Sequence, residues 1–156
     1  MDPPPARAAT AIRYGLFLAI FLAIVAVIAV SRNLLIAPPY AVTAYLVVFN
    51  RGTKYAQPRS IAASYLVVIA SSAAFEFALG ITLLALVLNV VLVSMFIAFT
   101  PYSHPPALAL TIFSYIVHDS LSFVLTSLVV LLIVTVADLL IERLPPLHER
   151  VDGASA

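Results

Sequence analysis

Two short runs carry the groups most able to do chemistry: Ser103-His104-Pro105-Pro106-Ala107 and Ala56-Gln57-Pro58-Arg59-Ser60. A histidine beside a helix start is either a donor and titrating group at the mouth of a site or a cap on that helix. Arg59 stands either at a charged entrance or, as the commoner use, as a basic anchor at the membrane surface. Asn89 sits mid-way along an apolar run, where an amide needs a partner; it lines a path or bonds a neighbouring helix. Glu76 falls near the end of its helix, in reach of water. Asp138 and Glu142, four apart, read as an interfacial face. His118-Asp119 looks like part of a catalytic triad, but Ser120 lacks the Gly-x-Ser-x-Gly elbow. Asp119 is better read as the N-cap of a following helix.

Several chemistries have no residues to support them. The chain has no cysteine, and its three histidines are scattered, so neither a disulfide nor a zinc site is expected. No phosphate-binding loop, dinucleotide fingerprint or metalloprotease helix is present. An enzyme is not expected, and no cofactor or metal is called for. The net charge of +1 and the lack of a basic stripe argue against a nucleic-acid partner.

What must position these groups is a membrane domain. Of 156 residues, 63% are apolar and 10% charged, with a mean hydropathy of +1.13. A soluble domain carries about 25% charged residues, so this chain needs lipid as its solvent. The first apolar run, Tyr14 to Val30, exceeds a secretory-signal core and reads as a spanning helix. Charge-free runs and punctuation at Gly80, Pro38-Pro39 and Pro105-Pro106 predict segments over 13–31, 38–50, 59–78, 81–99, 105–117 and 120–142. The second and fifth are too short to cross a bilayer core of about 30 Å at 1.5 Å per residue. Each is expected to be a half-helix that starts at a proline pair and follows a stretch of non-helical chain.

The order long, short, long occurs twice. A shift of 67 residues lays Pro38-Pro39 on Pro105-Pro106 and Ser60 on Ser127. The expected fold is therefore an all-α membrane protein with a 3+3 inverted repeat and two Pro-Pro half-helices. Residues 1–12 and 143–156 read as cytoplasmic tails flanking a single domain over 13–142. With both termini cytoplasmic in a multi-pass cell-membrane protein, Arg7, Arg13, Arg51, Lys54, Arg59, Arg143 and Arg150 fall on one side and only Arg32 on the other. Two half-helix N-termini brought together would offer unpaired N–H groups to a small anion near mid-membrane. The site expected on this basis comprises Pro38, Pro39, Thr43, Gln57, Arg59, Asn89, His104, Pro105, Pro106 and Ala107. Few helices are available to seal such a path from lipid, so a homo-oligomer is expected.

The His104-Pro105-Pro106 run resembles the His-Pro-Pro signature that names the HPP family of membrane proteins. Ala56-Gln57-Pro58-Arg59-Ser60 resembles that family's Ala-Gln-Pro-Arg-Asn landmark, and the two stand in the same order and spacing. The resemblance covers roughly residues 14–142. It implies a compact helical membrane domain and, from plastid and cyanobacterial members, transport of nitrite. It also marks Gln57, Pro58, Arg59, His104, Pro105 and Pro106 as the family's characteristic positions. Leu108 and Ala41 stand where relatives tend to carry glycine, and Tyr40 where they tend to carry phenylalanine. An anion channel with the same site, and a structural or assembly membrane protein without transport, are the alternatives.

Overall fold

The computed structural model describes residues 6–32, 34–117 and 119–143, and these contain six α-helices. They are α1 (Ala6–Ser31), α2 (Ala37–Phe49), α3 (Pro58–Leu79), α4 (Leu83–Phe99), α5 (Pro106–Val117) and α6 (Ser120–Glu142). In lipid every backbone polar group must find its partner inside its own segment, which leaves the helix as the solution for these Leu-, Ile-, Val- and Ala-rich runs. Helices α1, α3 and α6 are long and apolar enough to cross a membrane. Helices α2, α4 and α5 are apolar and shorter; α5, with 12 residues, spans about 18 Å. The protein is an all-α membrane protein.

Several boundaries move from the sequence reading. Helix α1 begins at Ala6, so a tail over 1–12 does not describe the chain from Ala6 onward: alanines and arginine are good helix formers that extend the apolar run. Residues 1–5 and 144–156, with the rest of both expected tails, lie outside the described residues, as do Asn33 and His118. Helix α2 is not preceded by a long irregular stretch. A 3-10 turn over Leu34–Ile36 feeds directly into it, since prolines at its first positions have no N–H to lose. The break at Gly80 is present. Its φ of 70° and ψ of −176° suit glycine alone, and its N–H closes α3 on the Glu76 carbonyl at 2.9 Å.

Successive helices alternate in direction. Phe17 of α1 packs on Phe49 at the far end of α2, and Arg51 beyond α2 reaches Asp138 near the end of α6. Ser120 at the start of α6 reaches Glu76 near the end of α3. The bundle thus has an Arg51 end and a Glu76 end, and α1 and α4, which open the two halves, run in opposite senses. Helix α1 packs on α2 and α6, and α4 packs on α5 and α3.

The burial pattern gives the register of the inverted repeat. An offset of 65 residues carries buried Ile20, Ile24 and Ile28 of α1 onto buried Ala85, Asn89 and Val93 of α4. An offset of 67 carries the buried face of α2, Pro39 to Val48, onto that of α5, Pro106 to Tyr115. An offset of 62 carries the buried face of α3, Ile61 to Glu76, onto that of α6, Phe123 to Asp138. The single shift of 67 therefore fails past the short helices. It pairs Ser60 with Ser127, whereas the structure pairs Tyr65 with Ser127. The cause is the connection: α2 ends at Phe49 and α3 starts at Pro58, but α5 ends at Val117 and α6 starts at Ser120.

Candidate functional site

Helix α4 ends at Phe99, and the chain from Thr100 to Pro105 is not helical. Pro101 cannot continue a helical ladder, and the segment folds inward instead. The Ser64 hydroxyl donates to the Tyr102 carbonyl at 2.7 Å. Ser64 lies six residues into α3, so the segment descends about 9 Å along that helix. Irregular backbone at such a depth survives only when packed in protein, and Ser103 and His104 are buried there.

His104 is fully buried and fixed at both ring nitrogens. Its Nδ1 lies 2.6 Å from the Tyr55 carbonyl oxygen. A carbonyl only accepts, so Nδ1 carries a proton. Its Nε2 lies 2.9 Å from Thr43 Oγ1, which also bonds the Tyr65 hydroxyl and sits 3.0 Å from the Pro39 carbonyl. Tyr65 meets the His104 ring edge-on with centroids 5.1 Å apart, and the Tyr40 ring in the same manner at 5.2 Å. The tyrosine hydroxyl is also 3.4 Å from the Pro39 carbonyl.

Proton counting gives this network two orders. With a neutral ring, Nε2 accepts from Thr43, and the Pro39 carbonyl must look to Tyr65. With a proton on Nε2, the ring donates to Thr43, whose own proton turns to Pro39. The same heavy-atom positions serve both orders.

A second polar cluster lies about 10 Å further along α3. Asn89 Nδ2 donates to Ser72 Oγ at 3.0 Å. Ser114 Oγ is 2.9 Å from Ser72 Oγ and 2.8 Å from the Thr111 carbonyl. One hydroxyl has one proton, so when Thr111 takes it Ser72 donates to Ser114. Asn89 Oδ1 and the Tyr115 hydroxyl face each other, both buried, and neither makes an aligned hydrogen bond. One turn further, Glu76 accepts from Ser120.

The residues expected to form one site are thereby divided. His104, Thr43 and Pro39 come together, with Pro106 and Ala107 buried beside them in sequence. Asn89 belongs to the second cluster. Pro38, Pro105, Gln57 and Arg59 are exposed, and no hydrogen bond ties them to His104. The expected free N–H groups at the start of α5 are also spent. Prolines 105 and 106 have none, and those of Ala107 and Leu108 close on the carbonyls of His104 and Pro105, each at 3.0 Å. The donors at this place are side chains.

Two acidic residues also differ from expectation. Glu76 is 9% exposed rather than wetted, because the start of α6 covers it. Asp138 is 1% exposed and pairs with Arg51 at 3.2 Å instead of facing the interface. Glu142, one turn on, is 60% exposed and lies 3.9 Å from the same guanidinium. Asp119 does cap α6, accepting from the Ser122 N–H at 3.0 Å.

Sequence reasoning gave no site role to Tyr65, Tyr40, Ser72 or Ser114. A signal existed in α3, where Ser64, Tyr65, Ser72 and Glu76 share the buried face of an otherwise apolar helix.

Together these features define a six-helix membrane protein of two inverted halves with a polar seam between α3, α4 and α5. A family model described as HPP, transmembrane region, matches residues 3–150. The chain belongs to the HPP transmembrane family. Comparison with curated proteins and with solved structures gave no match.

Proposed function

We propose that the protein passes a small inorganic anion, nitrite by family resemblance, across the cell membrane. The observation that carries this reading is the fully buried His104, held between Tyr55 and Thr43 on a re-entrant segment. Buried polar clusters in a lipid-embedded bundle are costly, and they are found where solute or ions move. The side chains at this place are donors without a carboxylate: His104, Thr43 and Tyr65. An anion would meet hydroxyl and imidazole protons rather than bare helix N–H groups. The inverted repeat is the architecture in which one half rocks against the other to expose a site alternately. Both termini are cytoplasmic in this reading, because Arg51, Lys54 and Arg59 all belong to the Arg51 end, where α1 begins and α6 finishes. The polar path in so small a bundle is sealed by a homo-oligomer.

The experiment is uptake of nitrite, nitrate, chloride and formate into proteoliposomes by wild type and His104→Ala. Selective nitrite uptake, lost in a folded His104→Ala protein, is the expected result. Absence of uptake of all four by folded wild type overturns the reading. One observation favours a second reading, a non-transporting structural or assembly protein: Thr43 bonds both Tyr65 and His104. In that case His104→Ala lowers stability and no flux exists to lose. Saturable flux with countertransport identifies a carrier; linear flux identifies a channel.

A further inference from the structure

The two halves of the repeat bury the same positions but not the same chemistry. The cluster of Ser72, Asn89, Thr111 and Ser114 between α3, α4 and α5 has its counterparts at Val134, Ile24, Ala44 and Val47 between α6, α1 and α2. Tyr115 corresponds to Val48. Every one of these five counterparts is apolar and buried. The apolar set shows that this scaffold packs without polar groups at the equivalent places. Hydrogen bonding is therefore not needed to hold such an interface, and the polar set requires another reason.

That reason is visible in how loosely the cluster pairs its members. Asn89 is fully buried, and its Oδ1 faces the Tyr115 hydroxyl without forming an aligned hydrogen bond with it. A buried cluster kept only as glue between helices would satisfy its members. The poorly aligned tyrosine hydroxyl, the second amide proton of Asn89 and the two serine hydroxyls can turn toward a guest.

We infer that Ser72, Asn89, Ser114 and Tyr115 form a second, water-accessible station for a small monovalent anion, on a path confined to the α3–α4–α5 side of the repeat. The inference rests on the proposed anion passage and adds its route. Buried Val68 and Leu110 lie between the levels of Tyr65 and Ser72 on α3 and α5. They separate the His104 station from this one.

Because the chain has no cysteine, single cysteines report water access directly and without reference to any substrate. Ser72→Cys and Ser114→Cys in proteoliposomes are expected to react with a small, charged methanethiosulfonate reagent. Val134→Cys and Val47→Cys, their counterparts, are expected not to react. Nitrite should slow modification at Ser72→Cys in a concentration-dependent way. Equal reaction on both sides, or none at Ser72 and Ser114, overturns the inference; so does reaction that nitrite leaves unchanged in a protein shown to carry nitrite.

A second variant copies the apolar half: Ser72→Val, Asn89→Ile and Ser114→Val together. The expected outcome is a folded protein with loss of nitrite flux. Retained flux overturns the station, and failure to fold shows the cluster to be structural and overturns it too. If wild type carries no nitrite, the anion reading fails on that result alone, and the difference in cysteine access still decides whether the α3–α4–α5 side is wet.

Discussion

Arg51→Ala should destabilise the protein through Asp138 rather than through anything Arg51 itself loses. The Asp138 side chain is 1% exposed, and the Arg51 side chain is 23% exposed. The guanidinium Nη2 stands 3.2 Å from Asp138 Oδ1, but its aligned hydrogen bond goes to the Asp138 carbonyl at 3.0 Å. The carboxylate oxygens thus hold an ion pair without an aligned donor. Stranding a buried charge costs ~3–5 kcal/mol. The misalignment and the partial exposure of the arginine place this pair just below that range, at about 2–3 kcal/mol. Glu142 supplies the internal control, because a 60% exposed carboxylate at 3.9 Å belongs to the class of surface pairs worth about 0–1 kcal/mol. The assay is reversible unfolding in mixed detergent for Arg51→Ala, Asp138→Leu, the double variant and Glu142→Ala. Asp138→Leu in the Arg51→Ala background should recover most of the loss, since no carboxylate remains to be stranded. A loss for Arg51→Ala no larger than that of Glu142→Ala would refute the reasoning, as would a double variant no better than Arg51→Ala.

Three further outcomes follow from local geometry. Tyr65→Phe removes the hydroxyl shared by Thr43 and Pro39 and should cost about 1–2 kcal/mol in the same unfolding assay. Gly80→Ala meets no atom within 4 Å, so its cost is torsional alone; with φ at 70° and ψ at −176° it should be about 1–3 kcal/mol. Asp119→Ala removes the cap on the Ser122 N–H and should cost about 1 kcal/mol, read by thermal unfolding, whereas Asp119→Asn or Asp119→Ser should be close to neutral.

Much of the scaffold was legible because lipid leaves few choices. Runs without charge must be helices, prolines mark helix starts, and a lone glycine between two apolar runs marks a turn. Those rules place six helices within a few residues, except at Ala6, where favourable residues carry α1 past the charge boundary. The motifs pointed to His104, and it is fully buried. They also pointed to Gln57 and Arg59, which are exposed; the landmark marks a helix start at Pro58, and a helix start at the membrane edge faces out. Tyr65, Ser72 and Ser114 escaped because each is separated by 17 to 42 residues from the partner that gives it a role, or by 22 for Tyr65 and Thr43. One sequence shows a serine in an apolar run, but not which other helix its hydroxyl meets.

The repeat explains why the two acidic residues take different partners. Glu76 and Asp138 are equivalent in the repeat, each 18 residues past the start of its helix, and each faces the connection that follows the other half's short helix. At Asp138 that connection runs from Asn50 to Gln57 and is long enough to carry Arg51 back over the carboxylate. At Glu76 it is only two residues long, between Val117 and Ser120, and the hydroxyl of Ser120 reaches the acid instead. An ion pair therefore fastens the Arg51 end, and a hydroxyl–carboxyl bond fastens the Glu76 end. A rocking motion that opened either end would have to break its own fastening. Opening the Arg51 end separates a buried charge pair, and opening the Glu76 end parts the Ser120 hydroxyl from the Glu76 carboxyl. Ser120→Ala removes the hydroxyl that fastens the Glu76 end and should bias the bundle toward opening on that side, seen as faster thiol modification at Ser72→Cys than in the single variant.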